Sequence, residues 1–229
     1  HDEISSGNPA GPNENLKMGL HSTLSTSDRY WNGAIDNVSL WNVALGQDQI
    51  QFYMSNKPAG DEAGLVADWR FNSGAGDMLY DHSGNQNHGT INGSIWSEDI
   101  YVPPTPPVPG GNNSLSFDGV NDYVEIQNQS SATSVFDYNF SIALKVSVSG
   151  GDNTHRNILT NAQMSGDGYV IAATPDNKFK SIIDLTTGGW VETIGSTDIV
   201  DNQWYSIITT YDGANINLYV DGVLDGQTS

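Results

Sequence analysis

Paired carboxylates are the first chemistry to look for in a chain with 27 acidic residues. Glycoside hydrolases use two such groups that face one cleft. Asp122 and Glu125 are three positions apart, and so are Asp198 and Asp201, so on a strand the two members of each pair point to opposite faces. Asp36 stands alone on its predicted strand, and no histidine lies in a nucleophile motif. We therefore predict that the chain is not an enzyme.

Calcium coordination is a second use for the acidic residues. Ca²⁺ prefers oxygen ligands, above all carboxylates combined with backbone carbonyls. Asp36 lies on one predicted strand and Asp118 in the turn after another. If those strands pair, the two carboxylates could approach and hold a structural ion. The alternative is that Asp118 is only a turn residue and Asp36 a surface acid.

Sugar binding is a third possibility, because glycan sites stack aromatic rings on sugars and fix the hydroxyls with nearby polar groups. Tyr30 and Trp31 beside Asn32, and Trp190 after a Gly-Gly pair, lie in predicted loops or strand ends. They are the candidate ligand-binding residues. The alternative for each aromatic residue is packing, which is what most aromatic side chains in sandwiches do.

Charge and composition limit the partners. The net charge of −19 and the pI near 4.1 argue against nucleic acid and anionic membrane surfaces, which would repel the chain. There is no cysteine, which excludes disulfides and thiolate metal sites. No apolar run is long enough to span a bilayer, so we expect no membrane insertion.

Short strands joined by tight turns must position these residues. Residues 204–211 are rich in β-branched and aromatic types, Asp212-Gly213 predicts a turn, and 216–220 alternates before Asp221-Gly222. Asp-Gly between alternating runs is a strong hairpin signal, because Gly adopts positive φ at little cost. The same pattern recurs at Asp118-Gly119, Asp167-Gly168, Asn32-Gly33 and Asn92-Gly93.

Two other segments interrupt the strands. Residues 44–56 have helical spacing of apolar side chains and are followed by a proline, which predicts one short helix. Residues 101–112 are rich in proline, which predicts an extended, semi-rigid linker. Regular turns with a single helix predict an all-β fold, a two-sheet jelly-roll sandwich.

Five stretches together resemble the laminin-G-like, concanavalin A-like family of bacterial extracellular repeat proteins. They cover most of the chain: LSFDGVNDYVEI (115–126), DNQWY to YDG (201–213), LYVDG (218–222), WNGAIDNVSLWNVAL (31–45), and GLVADWRF with DHSGN and HGT (64–90). The resemblance implies a concanavalin A-like jelly roll. It also implies a secreted or cell-surface location.

The order of these stretches is permuted relative to the family. Residues 1–100 resemble the closing half of a domain plus a tail, 101–112 the linker, and 113–229 the opening half. A half-sandwich would leave an apolar sheet face exposed to water and the edge strands unpaired. Residues 16–56 and 115–229 should therefore meet, either within one chain or between neighbouring units, and we favour the second.

The resemblance also carries two functional expectations. The first is a structural or adhesive tandem-repeat module that assembles end to end, with neighbouring copies or adjacent repeats as partners, in a filament or surface protein for cell adhesion. The second is a lectin-like, carbohydrate-binding module, either dependent on calcium or independent of it. Calcium-dependent relatives bind ligands at the rim, where the matching loops here contain Asp167 and Asp28.

Overall fold

The computed structural model describes residues 15–20, 29–101, 113–127, 139–150, 154–161, 168–185 and 189–229. Within these ranges the chain forms sixteen strands and one helix. In chain order they are β1 (Leu16–Met18), β2 (Asn32–Trp41), α1 (Gln47–Ser55), β3 (Leu65–Trp69), β4 (Met78–Leu79), β5 (Gly89–Asn92), β6 (Ile95–Ser97), β7 (Ser114–Asp118), β8 (Tyr123–Ile126), β9 (Phe140–Val148), β10 (Arg156–Thr160), β11 (Gly168–Ala173), β12 (Phe179–Leu185), β13 (Gly189–Ile194), β14 (Trp204–Tyr211), β15 (Ile216–Val220) and β16 (Val223–Thr228).

The strands form two large antiparallel sheets. Sheet A has the order β13-β12-β11-β10-β1-β8-β5-β4, and sheet B has the order β16-β15-β14-β9-β2-β7-β6, with β3 added beside β2. The predicted fold class, an all-β concanavalin A-like sandwich with one short helix, is confirmed. Asp221 and Gly222 join β15 to β16 with φ values of 50° and 77°, the positive pair that a tight hairpin turn requires.

The two halves of the chain interleave in both sheets. In sheet A, β1 pairs with β8 on one side and β10 on the other. In sheet B, β2 lies between β7 and β9. The predicted tail is part of the same sandwich, since β4 and β5 extend sheet A while β6 extends sheet B. Of the two ways in which the halves could meet, this structure has the pairing within one chain.

The main core lies between the sheets and follows strand alternation. On β9, every second residue from Phe140 to Val148 packs into this core, and the residues between them face the other way. All nine residues of β9 are nevertheless buried. The outward side of β9 must therefore also be covered.

Helix α1 provides that cover for sheet B. Its Ile50 is fully buried in a second apolar cluster with Trp41, Leu45, Leu65, Ala143 and Ile208. The helix is shorter at its start than predicted, because Gly46 is extended with ψ of 165° and caps the helix instead of belonging to it. The Gly46 amide donates to Gln49 Oε1 at 3.1 Å.

The predicted linker begins on the same outer face. Asp99 Oδ1 accepts from Trp204 Nε1 at 2.8 Å, and the Tyr101 ring lies 4.8 Å from Lys145 Nζ. Residues 102–112 lie outside the described residues. The strands that flank the segment are register partners, with Ser97 opposite Ser114, so it connects two neighbouring strands of one sheet.

The opposite side of the sandwich is closed between the last strands of the two sheets. Asp225 on β16 accepts from Ser196 Oγ at 2.8 Å and from Thr197 Oγ1 at 2.7 Å, just beyond the end of β13. Thr228 Oγ1 donates to the Glu192 carbonyl on β13 at 3.0 Å. These contacts hold β13 in place although it is the edge strand of sheet A.

Candidate functional site

The most exposed aromatic surface on the sheets is a stripe along β13. Trp190, Glu192 and Ile194 alternate with inward residues and point away from the core, while Val191 packs against the core and Thr193 is buried. Trp190 is 46% exposed and Ile194 48%. Alternate residues on a strand lie about 7 Å apart, so the three side chains span roughly 13 Å. We call Trp190, Glu192 and Ile194 the β13 stripe.

Strand β12 supports the stripe from one side. Ile182 lies opposite Glu192 and Lys180 opposite Ile194 in the antiparallel register. Lys180 Nζ is 3.5 Å from Glu192 Oε2, and the Glu192 side chain remains 52% exposed. The stripe thus combines an open indole, an open carboxylate and an aliphatic side chain on a backbone that is held by neighbouring strands.

Trp190 is the predicted ligand-binding residue that the structure places at the surface. Its indole extends from the start of an edge strand, as its position after Gly188-Gly189 suggested. The side chain of its register partner, Asp184, lies outside the described side chains. Nothing in the described residues assigns a ligand to Trp190, so its role stays a prediction.

Trp31 occupies a different environment from the one expected for stacking. It is fully buried in the main core, so neither face of its ring is open to a sugar. The physical reason is alternation: Trp31 is four residues before the core residue Ile35 and lies on the same side of the chain. If the alternation of inward and outward residues on β2 is extended back to Trp31, the sequence predicts that Trp31 belongs to the core.

Tyr30 and Asn32 lie at one end of sheet B, away from Trp190 on sheet A. Tyr30 is half-buried, and Asn32 is the first residue of β2. Asn32 lies opposite Asp118 in the register, and its carbonyl accepts from the Ser149 amide at 2.9 Å. The four predicted ligand-binding residues therefore do not form one site.

The two acids proposed to share calcium do not meet. The strands β2 and β7 do pair, but Asp118 lies opposite Asn32, whereas Asp36 lies opposite Lys145 on β9. Four residues along a strand correspond to about 13 Å, far beyond the 2.3–2.6 Å of a calcium–oxygen contact. Asp118 is a turn residue, with Oδ1 accepting from the Val120 amide at 2.8 Å.

The rim acids Asp28 and Asp167 lie outside the described residues. Among the described residues, no group of three His, Asp or Glu side chains could hold a metal ion. Calcium binding therefore stays a prediction, without a ligand set in the described part of the chain.

A second cluster of charged residues, missed by the sequence analysis, lies under helix α1. Asp36 is 1% exposed and Lys145 5%, and the two are opposite each other on β2 and β9. Lys145 Nζ donates to the Met54 carbonyl at 2.8 Å and to Ser206 Oγ at 2.5 Å. Carbonyls in the last turn of a helix lack helical partners, so the ammonium group satisfies one of them and ties α1 to sheet B.

Burial dominates the electrostatics of this cluster. It raises the pKa of Asp36 to about 7, although Lys57 and Lys145 oppose the shift. It lowers the pKa of Lys145 to about 7 against the attraction of Asp221 and Asp36. Asp36 Oδ1 has no hydrogen-bond partner, while Oδ2 accepts from Asn37 Nδ2 at 2.7 Å.

Shifted pKa values often mark catalytic groups, but structural networks shift them as well. A substrate has no access to Asp36 or Lys145, because both side chains are buried, and α1 and Tyr101 contact the Lys145 ammonium group. We interpret the cluster as structural. Its sequence signal is a single lysine inside the apolar strand FSIALKVSV, at a position that faces away from the main core.

The DHSGN motif and the nearby His88 take part in hydrogen bonds that stabilise the fold. Asp81 accepts from the amides of Asp68 and Asn87, both at 2.9 Å, and the Asp81 amide donates to His88 Nδ1 at 3.0 Å. Asn87 Nδ2 in turn donates to the Val66 carbonyl at 2.9 Å. The motif thus joins the turn before β5 to β3.

Comparisons with known proteins add one finding to this geometry. Residues 118–229 match a laminin-G family model described as the concanavalin A-like lectin/glucanases superfamily. Comparisons with curated proteins and with solved structures find no match. The described residues contain no helix with the length and apolarity that a bilayer crossing requires.

The matched residues build β8 to β16, which include the β13 stripe. Strands β1 to β6 and all of β7 except Asp118 are outside the match, so the permuted order remains a prediction. Residues 118–229 are therefore similar to the concanavalin A-like lectin/glucanases superfamily.

Proposed function

We propose that this domain is a non-catalytic carbohydrate-binding module and that the β13 stripe is its binding surface. The observation that carries the proposal is the exposure of Trp190 on a strand bonded to β12 and β16, beside the half-exposed Glu192 carboxylate. An exposed indole next to polar groups is costly to leave in water and is a common anchor of binding surfaces. The superfamily match supports a carbohydrate ligand.

The stripe offers two complementary contacts to a sugar. The indole face of Trp190 provides an apolar surface for the C–H face of a pyranose ring. Glu192, two residues further on the same face, provides an acceptor for sugar hydroxyl groups. Because both side chains project from one strand, their spacing changes little on binding. A pre-organised site of this kind loses little conformational entropy.

The two described carboxylates on the outward side of sheet A are too far apart to act together as a glycosidase pair. Among the described side chains on the outward side of sheet A, Glu125 and Glu192 belong to β8 and β13, which are five strands apart in the sheet order. At about 4.8 Å per strand their separation is roughly 24 Å. Glycosidases need their two carboxyl groups within about 5–9.5 Å.

The experiment compares the wild type with Trp190→Ala on a glycan array, followed by affinity electrophoresis in the polysaccharides that bind. We expect saturable binding that weakens by about 30-fold in the variant, the loss typical of a central tryptophan. Phe52→Ala is the matched control, because Phe52 is 54% exposed on α1 and distant in the fold from β13. Equal binding by wild type and Trp190→Ala would disprove the proposed site.

An adhesive repeat remains the second candidate. The observation that favours it is β6, an edge strand of sheet B whose Ile95 is 67% exposed. An open edge strand can pair with a second copy. Light scattering would then show polymers that dissociate in Ile95→Lys. A monomer at all concentrations would argue against assembly, since the halves already complete each other within one chain.

We also propose a secreted or cell-surface location, which the superfamily match supports. Calcium dependence is tested separately from glycan binding. A bound ion would raise the melting temperature by mass action. An unchanged melting temperature in excess EDTA would disprove a structural calcium ion.

A further inference from the structure

We propose that the ligand of the β13 stripe is an uncharged glycan and that sulfated and uronic-acid glycans are excluded. This inference rests on the proposed function and specifies its substrate class. It comes from the distribution of positive charge over the whole chain.

The chain has only eight basic residues, and all of them lie in the described part. Four are buried, with exposures of 8% for Lys17, 5% for Lys145, 2% for Arg156 and 8% for Lys180. Recognition of anionic polymers requires several accessible cations on one surface, because each contact releases a counterion or pairs with an anion. Burial removes half of the cations from such a role.

Most of the cations are also engaged by protein groups. Besides Lys180 with Glu192, three pairs join a cation to a carboxylate: Arg70 with Asp68 at 2.6 Å, Lys178 with Asp198 at 2.7 Å and Lys17 with Glu125 at 3.8 Å. Arg156 donates to Asn177 Oδ1 at 3.1 Å, and Lys57 to Asn72 Oδ1 at 3.3 Å. Arg29 is exposed beside β10, whose Asn157 amide donates to the Arg29 carbonyl, and burial, Lys180 and Arg29 all lower the pKa of His155. It is one exposed cation, whereas an anionic polymer requires several.

The stripe itself is net acidic at its surface. Its nearest cation, Lys180, is buried and already paired with Glu192, whereas Glu192 is half-exposed. A sulfate or uronate next to Trp190 would therefore meet an open carboxylate before any ammonium group. The net charge of −19 adds long-range repulsion to this local one. Sugar hydroxyls, in contrast, can donate to Glu192 without any charge penalty.

The first test uses an array that carries neutral, sulfated, uronate-containing and amino-sugar glycans, read at 20 mM and at 500 mM NaCl. We expect the signals that depend on Trp190 to be confined to neutral glycans and to be nearly independent of salt. Binding of a sulfated or uronate glycan that depends on Trp190 would overturn the inference but leave the proposed function intact. Binding confined to amino-sugar polymers and lost at 500 mM NaCl would also overturn it. Absence of all binding would disprove both.

A charge-reversal variant tests the same inference through the gain of binding to an anionic glycan. Glu192→Lys releases Lys180 from its pair and adds a second cation beside Trp190. Binding to dextran sulfate, absent in the wild type, should appear and should fall as salt rises. Asp77→Lys is the matched control, since Asp77 is exposed just before β4 at the opposite edge of sheet A and changes the net charge equally. Equal gains in both variants would show that overall charge, rather than the stripe, excludes anionic glycans.

Discussion

The outer faces of the two sheets carry similar side chains in different surroundings. Trp41 on β2 and Trp190 on β13 both face away from the core between the sheets, yet Trp41 is 1% exposed and Trp190 46%. Lys145 on β9 and Lys180 on β12 can be compared in the same way, since both are buried lysines on outward positions. Lys145 is held by the end of a helix, and Lys180 by a half-exposed carboxylate.

The difference comes from what covers each face. Sheet B is covered by α1 and by the chain around Tyr101, which turn its outward residues into a second buried layer. The β13 stripe has no such cover over Trp190 and Ile194. An outward position on a strand is therefore available to a ligand only where no other segment packs on it.

The two tryptophans give the largest expected contrast. Trp41→Ala removes a ring that is buried 4.8 Å from Tyr53 and whose indole nitrogen donates to Ser39 Oγ. We expect it to lower the free energy of unfolding by about 3–5 kcal/mol. Trp190→Ala should change it by less than about 1 kcal/mol, because the ring is largely in water already. Urea unfolding measures both, and similar losses would contradict the assignment of separate structural and binding roles.

The two lysines sharpen the comparison. Lys145→Met leaves the Met54 carbonyl and Ser206 without their donor and removes positive charge from beside Asp36. We expect a loss of about 3 kcal/mol, as for other buried pairs that lose one partner. Lys180→Met keeps the apolar stem and frees only an exposed carboxylate, so its cost should stay below about 1 kcal/mol. If unfolding curves show that Lys180→Met is destabilised more than Lys145→Met, the prediction that Lys145 contributes more to stability is wrong.

The titration of Asp36 provides a smaller effect with a defined sign. Its folded pKa of about 7 lies above the ordinary 3.8, so the folded state binds the proton more tightly and this group lowers stability as pH rises from about 4 to 7. Asp36→Asn removes that decline. The stability of the variant relative to wild type should increase by about 1 kcal/mol between pH 5 and pH 6.

Two features keep that measurement specific to Asp36. Asp68, whose pKa burial raises to about 6, titrates in the same window but is present in both proteins and cancels in the difference. Glu192→Gln is the matched control, because it removes one carboxylate at a half-exposed position. A pH-independent difference between Asp36→Asn and wild type would show that Asp36 is not the group that titrates.

The sequence predicts the fold well because its signals are local. Asp-Gly turns such as Asp221-Gly222 and alternating strands such as 216–220 specify hairpins without knowledge of distant residues. The site depends on non-local contacts, and there the predictions diverge. Asp36 does face outward, but segments that pack on the outer face of sheet B turn that face into a buried layer. Register likewise decides that Asp118 lies opposite Asn32 and not Asp36.

Tyr101 provides the last comparison, because it contacts Lys145 from the start of the predicted linker. Its ring lies 4.8 Å from Lys145 Nζ, and burial raises its own pKa to about 12. Tyr101→Ala removes a cation–π contact and admits water to Lys145, which should cost about 0.5–2 kcal/mol. Tyr101→Phe keeps the ring and should lose less. If both variants match wild type in urea, the Tyr101 ring does not stabilise the fold; a loss confined to Tyr101→Ala shows that its ring packs on the outer face of sheet B.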